Sequence, residues 1–229
     1  MVSHAEAAAA RRSTGPVRVF VVESHELAMQ GLRELLEGEG FDVAGGCWSM
    51  LEASNRIVDG AADVVVLDGR VPGGTGIEVC RNVRSVDANV RCILLTSYAD
   101  DEAVRGVVLA GAAGYVLRQV RGHDLVEAIR RVHAGYWLLD LRAVNRARRG
   151  LAEAATDAEL RGLTAGEREV LALISEGLTN RQISEAMGMG EMAVRSLVGT
   201  LLIKLGFRRS GPTSGRRIDT RTPPIDDGY

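Results

Sequence analysis

The sequence predicts an α/β domain built on a doubly wound parallel sheet, followed by a small all-α domain. Three observations predict it. Short apolar runs alternate with amphipathic stretches between residues 17 and 139, the run Val64-Val65-Val66-Leu67 is wholly apolar, and no strand signal appears from Leu163 to Gly206. Alternating strand and helix patterns are what a parallel sheet with crossover helices leaves in a sequence, and its central strands, buried on both faces, lose their polar positions.

In chain order, Val17-Arg18-Val19-Phe20-Val21-Val22 is a short β-rich run, and Glu26 to Glu37 carries Leu27, Leu32, Leu35 and Leu36 at helical spacing. Phe41-Asp42-Val43-Ala44 reads as a second strand and Met50 to Val58 as a helix. After Val64–Leu67 comes a Gly/Pro-rich loop, Gly69 to Gly76, then a helix through Ile77, Val79 and Val83. Cys92-Ile93-Leu94-Leu95 and Tyr115-Val116-Leu117 complete the strands, each followed by a helix, about Asp100 to Leu109 and Asp124 to His133. In such sheets the working site lies at the carboxyl ends of the strands.

Residues 140–162, rich in Arg, Ala and Glu, read as a partly helical linker, and 163–209 as the second domain. Thr164 with Glu167 three residues on forms a capping-box pattern ahead of Val170, Leu171, Ile174 and Leu178. Thr179 or Asn180 caps a second, short helix that carries Ile183 and Met187 and ends near Gly188. A third helix runs from about Gly190 to Leu205. Short helices joined by a Gly-containing turn fit a helix-turn-helix. Residues 1–16 and 210–229, the latter dominated by Gly, Pro, Arg, Asp and Thr, are expected to be disordered.

A formal charge of −2 argues against a protein that coats nucleic acid through charge alone, though it leaves room for one basic surface. Lys204 is the single lysine, a bias that reflects genome composition more than site chemistry. Cys47, Cys80 and Cys92 have no paired spacing, so core positions are expected rather than a disulfide or zinc site. The alanine run near the N-terminus precedes Arg11-Arg12, the reverse of a secretory signal. No stretch approaches the ~20 apolar residues of a membrane span. A cytoplasmic protein with no membrane partner is expected.

Val17–Phe20, Leu94–Tyr98 (LLTSY), Leu109–Val116 (LAGAAGYV) and above all Leu163–Gln182 (LTAGEREVLALISEGLTNRQ) resemble NarL/LuxR-type response regulators over most of the chain. The resemblance implies a flavodoxin-like (βα)5 receiver followed by an all-α LuxR-type helix-turn-helix domain. It also implies a phosphoacceptor aspartate at the end of the third strand, here Asp68, and a switch pair, here Thr96 and Tyr115. Phosphoryl transfer to a carboxylate needs a Mg²⁺ bridge and a cation to neutralise developing charge. The family supplies the metal with two adjacent acids after the first strand and the cation with a lysine after the fifth. This sequence has Glu23-Ser24 and Arg118 instead. A neutral hydroxyl weakens a hard-cation site, and a guanidinium does not replace an ammonium conservatively at a phosphoryl group. The expectation is a degenerate pocket of Glu23, Ser24, Thr96, Tyr115 and Arg118 that holds no metal or cofactor. In one variant of this reading Arg118 salt-bridges Asp68 directly. A bland reading stands beside it, with Asp68 capping a loop turn and Thr96 and Tyr115 simply packing.

In the third helix of the second domain, Val194, Val198, Leu201, Leu202 and Leu205 form a buried face. Glu191, Met192, Arg195, Ser196 and Gly199 lie opposite. The family usually places basic residues where Met192 and Arg195 stand. The residues expected at DNA are Thr179, Asn180, Arg181, Met192, Arg195, Ser196, Gly199 and Lys204, with Arg208 and Arg209 as further phosphate contacts. Six basic side chains against five acidic ones between Leu163 and Ser210 make a thin electrostatic footprint. Ser210-Gly211-Pro212 cannot continue into the final dimerisation helix of the family. The expected partners are double-stranded DNA and either a second copy or another response regulator. The sequence names no sensor kinase.

The reading is therefore an atypical transcription regulator, not an enzyme, since no glycine-rich phosphate loop or nucleophile–base pair is present. Two alternatives stay open. One is a conventional phosphorylation-activated regulator, the other a protein-interaction partner of another regulator with little DNA binding.

Overall fold

The computed structural model describes residues 15–59, 61–97, 101–119, 122–156 and 162–207. The expected disordered ends therefore lie outside the described residues, apart from positions 15 and 16. Strands β1 (Arg18–Val22), β2 (Asp42–Cys47), β3 (Val64–Asp68), β6 (Arg91–Thr96) and β7 (Gly114–Leu117) form one parallel sheet in the order β2-β1-β3-β6-β7. This is the flavodoxin-like order, with its switch point between β1 and β3. Helices α1 (Glu26–Gly38), α2 (Met50–Asp59), α3 (Gly76–Val86), α4 (Asp101–Ala110) and α5 (Gly122–His133) connect and cover the strands. Every residue of β3 is buried, as its unbroken apolar run requires.

Two local features depart from the sequence reading. The second strand runs on through Gly45 and Gly46 to Cys47 instead of stopping at Ala44. A Cβ on Gly45 would come within 2.8 Å of the Phe20 ring, and one on Gly46 within 2.8 Å of Met29 Sδ. Here the glycines make room for neighbouring side chains and do not end the strand. The Gly/Pro loop after β3 folds into a small antiparallel hairpin, β4 (Arg70–Val71) and β5 (Gly74–Thr75). It delivers Thr75 as the N-cap of α3 in a reciprocal capping box with Glu78. Gly76 then passes so close to the Asp68 carbonyl that a side chain there would collide with it.

The linker is an ordered 16-residue helix, α6 (Leu141–Thr156), with Leu151 and Ala155 buried. The helix-turn-helix domain follows as α7 (Ala165–Ser175), α8 (Asn180–Met187) and α9 (Glu191–Lys204). Thr164 and Thr179 cap α7 and α8 through capping boxes with Glu167 and Gln182. Gly188 ends α8 at φ 63°, a left-handed position that suits glycine, and α8 and α9 meet at a 111° bend. No single described helix is long and apolar enough to cross a membrane.

The two domains share one core. Val79, Cys80, Val83, Val107 and Val108 of the receiver belong to the same buried cluster as Leu151, Val170, Leu171, Ile183, Val194 and Leu201. The other face of the sheet carries a separate core of Val19, Val21, Val64, Val66, Ile93 and Ile129. All three cysteines are buried free thiols.

Candidate functional site

The carboxyl ends of β1, β3, β6 and β7 converge on Asp68, which is 5% exposed. Both of its carboxylate oxygens are engaged. Oδ1 accepts the Arg70 backbone N–H at 3.1 Å, and Oδ2 accepts the Ser24 hydroxyl at 3.2 Å. Oδ2 also lies 2.5 Å from Arg118 Nη2. The same guanidinium nitrogen donates to Glu23 Oε2 at 2.9 Å. Glu23, 1% exposed, is held from its other side by the His25 backbone N–H, 2.9 Å from Oε1. His25 Nδ1 is 3.0 Å from that oxygen.

Arg118 reaches the pair because its backbone N–H donates to Thr96 O at 2.8 Å, which carries the β6–β7 ladder one residue past the strand end. Its partial burial opposes the charge. Asp68 first and then Glu23 outweigh that cost and push the guanidinium above its ordinary range. A single cation thus stands between two buried carboxylates. Among the described residues, Glu23, His25 and Asp68 also present ligand-type atoms within 4.8 Å of one another.

Thr96 and Tyr115 line a cavity of about 400 Å³ with Ser24, Asp68 and Arg118. Phe207, at the end of the second domain, closes its far side. So the structure gathers all the receiver residues singled out from the sequence, and it realises the direct Arg118–Asp68 ion pair.

The DNA-facing residues are not gathered in the same way. Met192 (74% exposed) and Ser196 stand on the solvent face of α9. Arg195 lies back along the helix, with Nη2 2.7 Å from Glu191 Oε1. Arg181 is exposed and pairs loosely with Glu185 at 3.4 Å. The Thr179 hydroxyl is occupied by the α8 cap. Lys204 Nζ is tied to Glu167 Oε2 at 2.6 Å and to Gly162 O at 3.1 Å.

Two expectations need correction. Gly199 is buried, so although it lies seven residues beyond Met192 on the same side of α9, it offers no exposed surface to DNA. Asn180 is 1% exposed and does not face solvent as a phosphate contact would. Its Oδ1 accepts from Arg81 Nε at 2.8 Å, and its Nδ2 donates to Asn82 Oδ1 at 3.4 Å. Arg208 and Arg209 fall outside the described residues.

Arg81 is the functional residue that sequence reasoning missed. It is 4% exposed on α3 of the receiver. Besides Asn180, it donates from Nη1 to Leu109 O at 2.8 Å and from Nη2 to Leu178 O at 2.9 Å. Burial pushes its pKa down to about 10, still far above neutrality, so the buried guanidinium keeps its charge with only neutral oxygens around it. No spacing rule marks it, because an arginine on an amphipathic helix is ordinarily a solvated one.

A parallel sheet with an aspartate closing its third strand, joined to a helix-turn-helix, defines a DNA-binding transcriptional response regulator. The receiver matches the family described as "Response regulator receiver domain" over residues 19–130. The helical domain matches "Bacterial regulatory proteins, luxR family" over residues 161–210. The chain belongs to the NarL/LuxR family of response regulators. It is 45% identical over 195 residues to the "DNA-binding transcriptional activator DevR/DosR" of Mycobacterium tuberculosis, covering 84% of this chain and 90% of that one. It is 29% identical to the "Transcriptional regulatory protein LiaR" of Bacillus subtilis, over 82% of this chain and 90% of the relative. Among solved structures, a LuxR-family two-component response regulator from Aurantimonas superposes with a TM-score of 0.52 at 27% identity, over 59% of this chain and 98% of the other.

Proposed function

We propose that this protein is a cytoplasmic, DNA-binding transcription regulator whose receiver is set without ordinary Mg²⁺-dependent phosphorylation of Asp68. The observation that carries the reading is the Arg118 guanidinium, within 2.5 Å of Asp68 and 2.9 Å of Glu23. A cation bridging those carboxylates has to displace it. The remaining side-chain donors beside them are the neutral Ser24 hydroxyl and the His25 imidazole, so the residues present do not fit Mg²⁺, which favours several anionic oxygens in octahedral order. Three of the roughly four lone-pair sites of the Asp68 carboxylate are already engaged by Arg70, Ser24 and Arg118. That leaves one on Oδ1 for attack and none on Oδ2 for a metal unless Arg118 or Ser24 is displaced. The ion pair gives Asp68 a cationic partner that needs neither a metal nor a phosphoryl group.

Incubation of the full chain with acetyl phosphate and Mg²⁺, followed by intact mass, tests the proposal. No mass gain is expected. A gain that disappears in Asp68→Ala returns the chain to the phosphorylation-activated class.

Assembly falls to the receiver or to α6, as a homodimer or with another response regulator, and a sensor kinase has no evident part in this scheme. A second reading, a protein-interaction partner that touches little DNA, draws support from Asn180 and Lys204 being spent on internal bonds. A gel shift against genomic fragments separates it. Retarded fragments that are released in Arg195→Ala support the DNA-binding reading.

A further inference from the structure

The solvent face of α9 is nearly without charge. Met192, Ser196, Thr200 and Ile203 follow one another at intervals of four, four and three residues, one stripe of a helix, and all are exposed, with Ala193 beside the first. The nearest cation, Arg195, is bonded to Glu191 within the same turn. Thr200 Oγ1 lies 3.0 Å from Leu197 O and also supports the Glu167 carboxylate, so its proton is used within the domain. The first two turns of the reading helix therefore offer a base pair a thioether side chain, a methyl and one serine hydroxyl.

We propose that Met192 reads thymine, by packing on its C5 methyl group in the major groove; this rests on the DNA-binding reading above. Helix side chains tilt toward the N-terminus, and in a helix-turn-helix the first residues of the second helix meet the base edges. Met192 is the second residue of α9 and is 74% exposed, so it projects at the leading end. The thymine C5 methyl is the one apolar substituent that the major-groove edges present among their donors and acceptors. A methionine laid over guanine O6 and N7, or over an exocyclic amine, strips water from a polar group and returns no partner. Over a thymine methyl it buries two apolar surfaces together. Ser196, one turn further, both donates and accepts, so it tolerates any base.

The test uses the full chain. A randomised duplex pool is selected for binding, and the preferred duplex is remade with each thymine in turn replaced by deoxyuridine. That exchange removes the methyl and leaves the hydrogen-bonding edge intact. At one thymine per half-site the exchange should weaken binding roughly three- to fivefold, the worth of burying one methyl group. Met192→Ala should be indifferent to the same exchange, and Met192→Lys should move the preference at that position toward guanine. Circular dichroism checks that both variants keep the fold, as an exposed position allows. Wild type indifferent to every uridine exchange overturns the assignment, as does a Met192→Ala variant that keeps the full sensitivity. If no duplex is enriched at all, the DNA-binding reading itself falls and takes the thymine assignment with it.

Discussion

Arg81 of the receiver holds Asn180 of the helix-turn-helix domain, with 2.8 Å between Nε and Oδ1, in a contact buried from solvent. Asn180 opens α8, the helix that precedes the reading helix, so the bond fixes how the second domain sits on α3. Among the described residues no carboxylate forms an ion pair with this guanidinium, which donates to three neutral oxygens.

Arg81→Ala leaves Asn180 Oδ1, Leu109 O and Leu178 O without their donor in a buried contact. With each unsatisfied acceptor costing about 1–3 kcal/mol and water repairing part of the loss, a net destabilisation of about 2–4 kcal/mol is expected. The contact lies between domains, so the radius of gyration from solution scattering should rise while the receiver stays folded. An unchanged radius and an unchanged urea midpoint would falsify this role.

Arg118→Ala leaves two nearly buried carboxylates facing each other without their shared cation. Its side chain is 28% exposed, which lowers the penalty below that of a fully buried pair. A loss of about 1–3 kcal/mol at neutral pH is expected, measured by urea unfolding. Arg118→Ala combined with Asp68→Asn should recover most of it, because the repulsion is then gone.

Ser24→Asp with Arg118→Lys restores an anionic oxygen and clears the bulky guanidinium from the gap between Glu23 and Asp68. The double variant should bind Mg²⁺ in titration calorimetry and gain mass on Asp68 with acetyl phosphate, where the natural chain is expected to do neither. A double variant as inert as its parent places the block elsewhere in the pocket.

Acid should unsettle the helical domain through Glu167. Burial pushes this carboxyl up, but the Lys204 ammonium, the Thr164 backbone N–H and the Thr200 hydroxyl together hold it below its ordinary 4.5. A carboxyl whose folded pKa is depressed stabilises the fold fully above its ordinary value and loses that contribution as pH falls through the lower folded one. Stability should therefore decline below about pH 4.5, and Lys204→Met should flatten the decline. An acid limb with the same slope in the variant counts against the pair.

Much of this molecule was legible from periodicity. The apolar run at Val64–Leu67 marks the central strand, and Thr164 with Glu167 marks the start of α7, because both signals are local. The receiver residues were named through the resemblance to the family, and the fold brings Asp68, Thr96 and Arg118 together because each sits at or just beyond a strand end of the parallel sheet. Gly199 was misread because periodicity puts it on the side of Met192 and Ser196, whereas its burial depends on tertiary packing, and the exposed Thr200 next to it was overlooked. Asn180 was misread for a different reason. An asparagine at a helix start has the same local appearance whether its amide meets phosphate or a buried arginine.

The sequence by itself determined the element order and the helix caps. These follow from residue type and spacing, which act over a few residues. Tertiary structure alone decided that Arg118 turns inward to two carboxylates, that Arg81 is buried with its charge, and that the helix-turn-helix shares the receiver's core. Those outcomes depend on which surfaces exclude water from each other across separations such as the 99 residues between Arg81 and Asn180, and no local pattern encodes that.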